Sequence, residues 1–157
     1  PGFDAELYKL IREKQMERIT DTEVKLLGNE LNKWVLEKAK ANIEAAGVED
    51  MITLHLGDFL DFEHGLKRGV VIINPPYGEK LNVDDLEKLY SEIGTRLKHH
   101  YTGFKAWIFT GSPEGAKAIG LRPNRRIRLF NGPLECRLLC FDIFEGKKSE
   151  RYLKTEN

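Results

Sequence analysis

The chain of 157 residues has little of several things that would each fix a class of protein. Its only cysteines are Cys136 and Cys140, too few for a disulfide scaffold, and their i, i+4 spacing in an apolar run sets both on one face of a strand. They read as small buried apolar side chains, with a reducing cytoplasm as the simple setting. Neither sign of charge is in excess: Lys plus Arg and Asp plus Glu are 25 each. No overall field therefore points to nucleic acid or a membrane, and an anionic partner would have to be met by a local patch. No apolar run approaches the roughly 20 residues of a membrane span, and the start lacks the basic-then-apolar layout of a secretory signal. His55, His64, His99 and His100 have no metal-ligand spacing, and the last two read as a helix end. Repeats, low-complexity stretches and linkers are missing as well, which leaves one domain or part of one.

What is present is periodicity. Residues 4–18 carry Leu7, Leu10, Ile11 and Met16 at helical spacing behind Asp4 as N-cap, and 32–47 carry Val35, Leu36, Ala39, Ile43 and Ala46 between Asn32 as N-cap and Gly47 as stop. A third helix spans 83–101 with Leu86, Leu89, Tyr90, Ile93 and Leu97 on one side, and a short one 113–119. Strands are expected at 24–30, at 51–58, in the β-branched run 70–74, and at 105–112; the run at 70–74 has the composition of a strand buried on both faces. Residues 125–130 and 134–144 flank Asn131-Gly132-Pro133, a hairpin turn, and the charged tail from 146 is expected to fray. Strands alternating with helices predict a parallel α/β sheet closed by an antiparallel pair.

In such a sheet ligands bind beyond the carboxyl ends of the strands. The first strand ends in Glu30, placed either to accept from the hydroxyls of a ribose or to cap the following helix. The second ends in Gly57-Asp58-Phe59: Asp58 can accept from an amino group such as that of adenine, with Phe59 against the purine, or it can bond its own backbone in a turn. The third ends in Asn74-Pro75-Pro76-Tyr77-Gly78. Each proline lacks an N–H and fixes its own φ, so the segment is stiff and its carbonyls are not consumed by a ladder. The Asn74 oxygen and the Pro75 carbonyl can both accept from a planar NH2 group, Tyr77 offers a π-face for a base, and Gly78 allows close approach.

These tips together resemble the class I S-adenosylmethionine-dependent methyltransferases, in which an N/D-P-P-Y/F/W motif marks enzymes that methylate amino nitrogens. "NPPYGEKL", the hairpin "NGPLECRLL" and the opening "PGF" are similar to the bacterial THUMP-containing 23S rRNA guanine-N2 methyltransferases, over Pro1 to about Phe144. The resemblance implies a Rossmann-like fold with a mostly parallel sheet and a C-terminal antiparallel hairpin, and S-adenosylmethionine as cofactor without a metal. It implies that Glu30, Leu31, Asp58, Phe59 and Asn74 hold the cofactor, and that Asn74, Pro75, Pro76 and Tyr77 carry the chemistry on the target base. Lys80, Arg122, Arg125 and Arg126 are the candidate RNA contacts, with a charge-protected strand edge as the other reading of the arginines. Implied partners are 23S rRNA and an upstream THUMP domain, in the cytoplasm with no membrane.

One departure matters. The family's glycine-rich motif I and its strand should precede "PGF", and nothing like them occurs in the sequence. Residues 1–157 therefore read as the back part of a methyltransferase domain, with 145–157 as a frayed tail. The expected reaction is methyl transfer to guanine N2 of 23S rRNA; the alternatives are a tRNA guanine, a DNA adenine N6 or a protein glutamine amide, or a non-catalytic RNA-binding fragment. Gly78-Glu79 points away from the glutamine enzymes, which usually follow NPPY with an apolar residue.

Overall fold

The computed structural model describes residues 2–20, 23–77 and 82–145. In chain order the elements are α1 (Ala5–Met16), β1 (Leu26–Glu30), α2 (Lys33–Ala46), a single 3-10 turn (Glu49–Met51), β2 (Ile52–Leu56), β3 (Gly69–Ile73), α3 (Val83–His100), β4 (Phe104–Thr110), α4 (Pro113–Ala118), β5 (Arg125–Asn131) and β6 (Leu134–Asp142). The expected caps are in place. The Asp4 carboxylate accepts from Leu7 N at 2.9 Å, Asn32 caps α2 through Trp34 N and Val35 N, and Gly47 ends that helix at φ 65°. A side chain at such a φ would be strained, so glycine is the natural terminator.

The strands form two sheets rather than one. β1 and β2 pair in parallel; β3, β4, β6 and β5 form the second sheet in that order, parallel between β3 and β4 and antiparallel thereafter. Among the described residues β1 and β3 pair with no common strand. A cleft of about 1450 Å³ opens between them at the amino-terminal end of the strands, lined by Glu23 to Leu26 on one side and Arg68 to Val70 on the other. That is the end of the sheet remote from the strand tips.

The core lies on one face of the larger sheet. Ala106, Ile108 and Thr110 of β4 and Leu139 and Phe141 of β6 are buried against Leu86, Tyr90, Ile93 and Leu97 of α3 and Ile119 behind α4. The alternating burial of β4 follows from the two-residue period of a strand. The expectation that 70–74 is buried on both faces is corrected: Val70 and Ile72 are 62% and 74% exposed. β3 is an edge strand, and no described helix covers the face on which these two residues stand. α1 likewise buries no residue, so its apolar side is uncovered among the described residues.

Segment 57–66, which follows β2, is bound to the core by specific contacts. The Phe59 ring stacks on Tyr101 at 5.5 Å. His64 accepts at Nδ1 from Leu66 N, so Nε2 carries the proton and donates to His100 O at 2.8 Å. Arg96 donates to Phe62 O at 2.7 Å and Glu63 Oε1 at 2.8 Å, and that hydrogen bond holds the Glu63 carboxyl below the usual carboxylate range.

Gly94 marks the α3–α4 crossing, where a Cβ would overlap the Ile119 carbonyl oxygen. Alanine gains about 1 kcal/mol over glycine in a helix interior, but a backbone oxygen cannot swing away, and forced overpacking costs about 1–3 kcal/mol. The clash should win: Gly94→Ala is expected to lower stability, read as a reduced urea midpoint.

Candidate active site

The site is built on strand tips, beginning with β1 and β2. Glu30 closes β1, and its Oε1 accepts from Asn32 N at 2.7 Å, so one carboxylate oxygen fixes the turn into α2 while the other has no partner among the described residues. Leu31 beside it is 69% exposed. Asp58 behaves in the same way: Oδ1 accepts from Leu60 N at 2.8 Å, the turn bond, and Oδ2 is left open. Phe59 turns one face of its ring to Tyr101, so a purine there would have only the remaining face and the backbone. Asn29 was missed by sequence reasoning. Its Nδ2 donates to Gly57 O at 3.1 Å and ties the two tips together.

The third tip is the more organised. After β3 the chain runs through exposed Asn74, buried Pro75, exposed Pro76 and half-buried Tyr77. Among the described residues every peptide bond is trans. The buried proline anchors the segment, while the Asn74 amide makes no hydrogen bond among the described residues and is available to a ligand. Tyr77 is held from three sides. Its hydroxyl accepts from Asn131 Nδ2 at 3.2 Å, its ring meets Phe109 edge-on at 5.9 Å, and it lies over Gly111, where a Cβ would come within 3.0 Å of Tyr77 Cδ2 and 2.9 Å of Leu134. Gly111 is required here by close approach, not by its φ.

The hairpin turn thus does more than reverse the chain. The Asn-Gly signal read as turn chemistry, and Gly132 does take φ 58°, but the Asn131 side chain is spent on Tyr77. Only the pairing of β6 with β4 brings that turn to the tip of β3, and no local signal carries that. Of the candidate RNA contacts, Arg122 lies in the loop before β5, and Arg125 and Arg126 point to opposite faces of β5. Lys80 and Gly78 lie outside the described residues. Cys136 and Cys140 are both buried, and burial pushes the Cys140 thiol up. Among the described residues no group of three or more His, Cys, Asp or Glu converges on a metal position, and no helix is long and apolar enough to cross a membrane.

An α/β chain whose strand tips present two half-open carboxylates and a stiff Asn-Pro-Pro-Tyr loop has a clear counterpart. The RMKL-like methyltransferase domain family, UPF0020, matches residues 3–139. The chain belongs to that family. It is 38% identical over 143 residues to the ribosomal RNA large subunit methyltransferase K/L of Legionella pneumophila strain Philadelphia 1, covering 90% of this chain and 20% of that protein. To the protein of the same name from Hahella chejuensis it is 34% identical over 166 residues, covering 100% of this chain and 23% of the relative. The chain therefore spans about a fifth of the length of the curated relatives it matches. Among solved structures, SMU.472, described as a methyltransferase candidate complexed with SAH, superposes with a TM-score of 0.79 at 27% identity, covering 94% of this chain and 39% of that one. The RNA methyltransferase of Salinibacter ruber superposes with a TM-score of 0.57 at 16% identity, over 79% of this chain and 69% of that one, and shares the fold. The chain has the fold of the Rossmann-like class I methyltransferases, with its two parallel pairs and closing antiparallel hairpin.

Gly111→Ala should push the Tyr77 ring from its shelf and break the Asn131 bond while leaving the core intact. The expected outcome is a displaced Asn131 side-chain amide resonance in a 15N spectrum, with core methyl resonances unmoved.

Proposed function

We propose that this chain is the catalytic part of an S-adenosylmethionine-dependent RNA methyltransferase that modifies guanine N2 of large-subunit ribosomal RNA. The observation that carries the reading is the β3 tip: an unpartnered Asn74 amide next to Pro75, beside a tyrosine ring whose position is fixed by Asn131, Phe109 and Gly111. Two acceptors and a stacking face are what recognition of an aromatic amine needs. The names of the relatives, ribosomal RNA large subunit methyltransferases, support the RNA.

The residues present fit the cofactor. The open oxygens of Glu30 and Asp58 are acceptors suited to ribose hydroxyls and to the adenine amine, with Leu31, Phe59 and Asn74 around them. When bound, S-adenosylmethionine supplies a methyl group already activated for transfer. The chain's own residues then have to orient the base. Asn74 and the Pro75 carbonyl would accept from the N2 amine, whose lone pair is otherwise delocalised into the ring, and favour a pyramidal nitrogen. The same acceptors would disperse the positive charge that develops on it. Tyr77 would receive a base taken out of its stack. Lys80, Arg122, Arg125 and Arg126 are candidate phosphate contacts.

The open edges of β1 and β3 support the other part of the reading, that residues 1–157 are one portion of the methyltransferase domain. A motif I strand supplied by the longer protein would fill the place between them, and a THUMP domain further upstream would help to hold the RNA in the cytoplasm. In the full-length protein Asn74→Ala should still bind cofactor through Glu30 and Asp58 and lower methyl transfer by roughly 10²–10³, the loss typical of one preorganised hydrogen-bonding group. An unchanged transfer rate would remove Asn74 from the chemistry. Mass mapping of the product must give N2-methylguanine; N6-methyladenine, or transfer to tRNA alone, would redirect the assignment.

A further inference from the structure

β5 is an edge strand, and every residue of it is exposed. Its pairing with β6 sets Arg128 directly opposite Arg137, with Arg126 opposite Leu139 and Phe130 opposite Glu135. Arg126, Arg128, Phe130 and Arg137 therefore stand on one face of the hairpin. Like charges directly opposite on a sheet destabilise it. Nothing among the described residues relieves them: Glu135 is the carboxylate on that face, and neither it nor any other forms an ion pair with Arg126, Arg128 or Arg137. Charge on an edge strand can serve to block edge-to-edge pairing. That accounts for Arg126 and Arg128, but not for Arg137, which lies on the inner strand β6, nor for Phe130, which is 65% exposed.

The position of the patch is as telling as its charge. Arg137 pairs with Thr110, the residue before Gly111, and Phe130 precedes Asn131, the partner of Tyr77. Arg128, Arg137 and Phe130 are thus at the same end of the sheet as the amine-recognition loop, on the face that α3 covers and opposite the face on which Tyr77 rests, while Arg126 lies farther back, opposite Leu139. We propose that this face of the β5–β6 hairpin is an RNA contact surface for the strand that passes over the end of the sheet: Arg128 and Arg137, with Arg126 behind them, hold its phosphates, and Phe130 stacks on an unpaired base outside the Tyr77 loop. Phosphate between Arg128 and Arg137 turns an unfavourable pair into a favourable site. An exposed aromatic beside cations is the composition that single strands are bound by. The inference rests on the proposed RNA methyltransferase activity, and it adds Arg128, Arg137 and Phe130 as contacts on the face of the sheet opposite Arg125 and Tyr77.

The test uses the full-length protein, an in vitro transcript of 23S rRNA and a KCl series. Arg128→Gln with Arg137→Gln should reduce the slope of log K against log[KCl] by about 1.4–1.8, the value for two lost phosphate contacts. The melting temperature should hold or rise, because the like-charge pair is gone. Arg128→Lys with Arg137→Lys should restore most of the slope, and Phe130→Ala should weaken binding with the slope unchanged. An unaltered slope in the glutamine variant overturns the proposal, as does a lowered slope that comes with a lower melting temperature and is not rescued by lysine. Failure of the underlying activity is separate: the wild-type protein would then methylate no rRNA, whatever the salt slopes.

Discussion

The site depends on a hydrogen bond buried beneath it. Tyr90 of α3 and Thr110 at the end of β4 share a bond of 2.7 Å, and Thr110 Oγ1 also accepts from Ser112 N at 3.0 Å. Ser112 in turn caps α4 by accepting from Gly115 N at 2.9 Å, and Gly115 lies so close to the Tyr90 ring that a Cβ would come within 2.9 Å of it. A polar group buried without a partner costs about 1–3 kcal/mol, so each member of the chain holds the next in place. Burial pushes the Tyr90 hydroxyl up, which favours its neutral, hydrogen-bonding form. The product of this network is a fixed β4 tip, and Gly111, between Thr110 and Ser112, is the shelf for Tyr77.

From that shelf the rest follows in order. Tyr77 can be rigid because its ring is supported from below and its hydroxyl is tied to Asn131; Asn131 can reach it because β6 pairs antiparallel with β4 and brings the hairpin turn alongside. The loop before Tyr77 is stiffened by the chain itself, through two prolines of which one is buried. Rigidity matters because alignment is most of what a reaction with an activated donor requires of the protein. The tips of β1 and β2 are organised on a different plan: Glu30 and Asp58 each spend one oxygen on the backbone, and Arg96, His64 and Phe59 secure the following segment on α3 and β4.

Much of this was legible in the sequence because it is local. Caps at Asp4 and Asn32, the stop at Gly47 and the helical period expected over 83–101 are properties of neighbouring residues, and they came out where expected, the third helix ending at His100. The β-branched run at 70–73 misled because composition tells how much apolar surface a strand carries, not what stands against it; Val70 and Ile72 are uncovered among the described residues. Asn29, Gly111 and Asn131 escaped for the converse reason. Each does its work across a distance of 28 to 54 positions or against a ring brought in by strand pairing, and no period or motif records such a contact.

The arginines illustrate the same limit in a more useful form. As a string, Arg122, Arg125, Arg126 and Arg128 are one basic run, and edge protection or phosphate binding describes it equally well. Register divides the run: Arg125 goes to one face, Arg126 and Arg128 to the other, and Arg137 joins them from nine positions beyond Arg128. Edge protection needs charge only on the outer strand, so a cation opposite another on the inner strand is a cost without a structural return. A surface that keeps such a cost at the end of the sheet where the base-holding loop lies is best accounted for by an anion that comes and goes with the substrate.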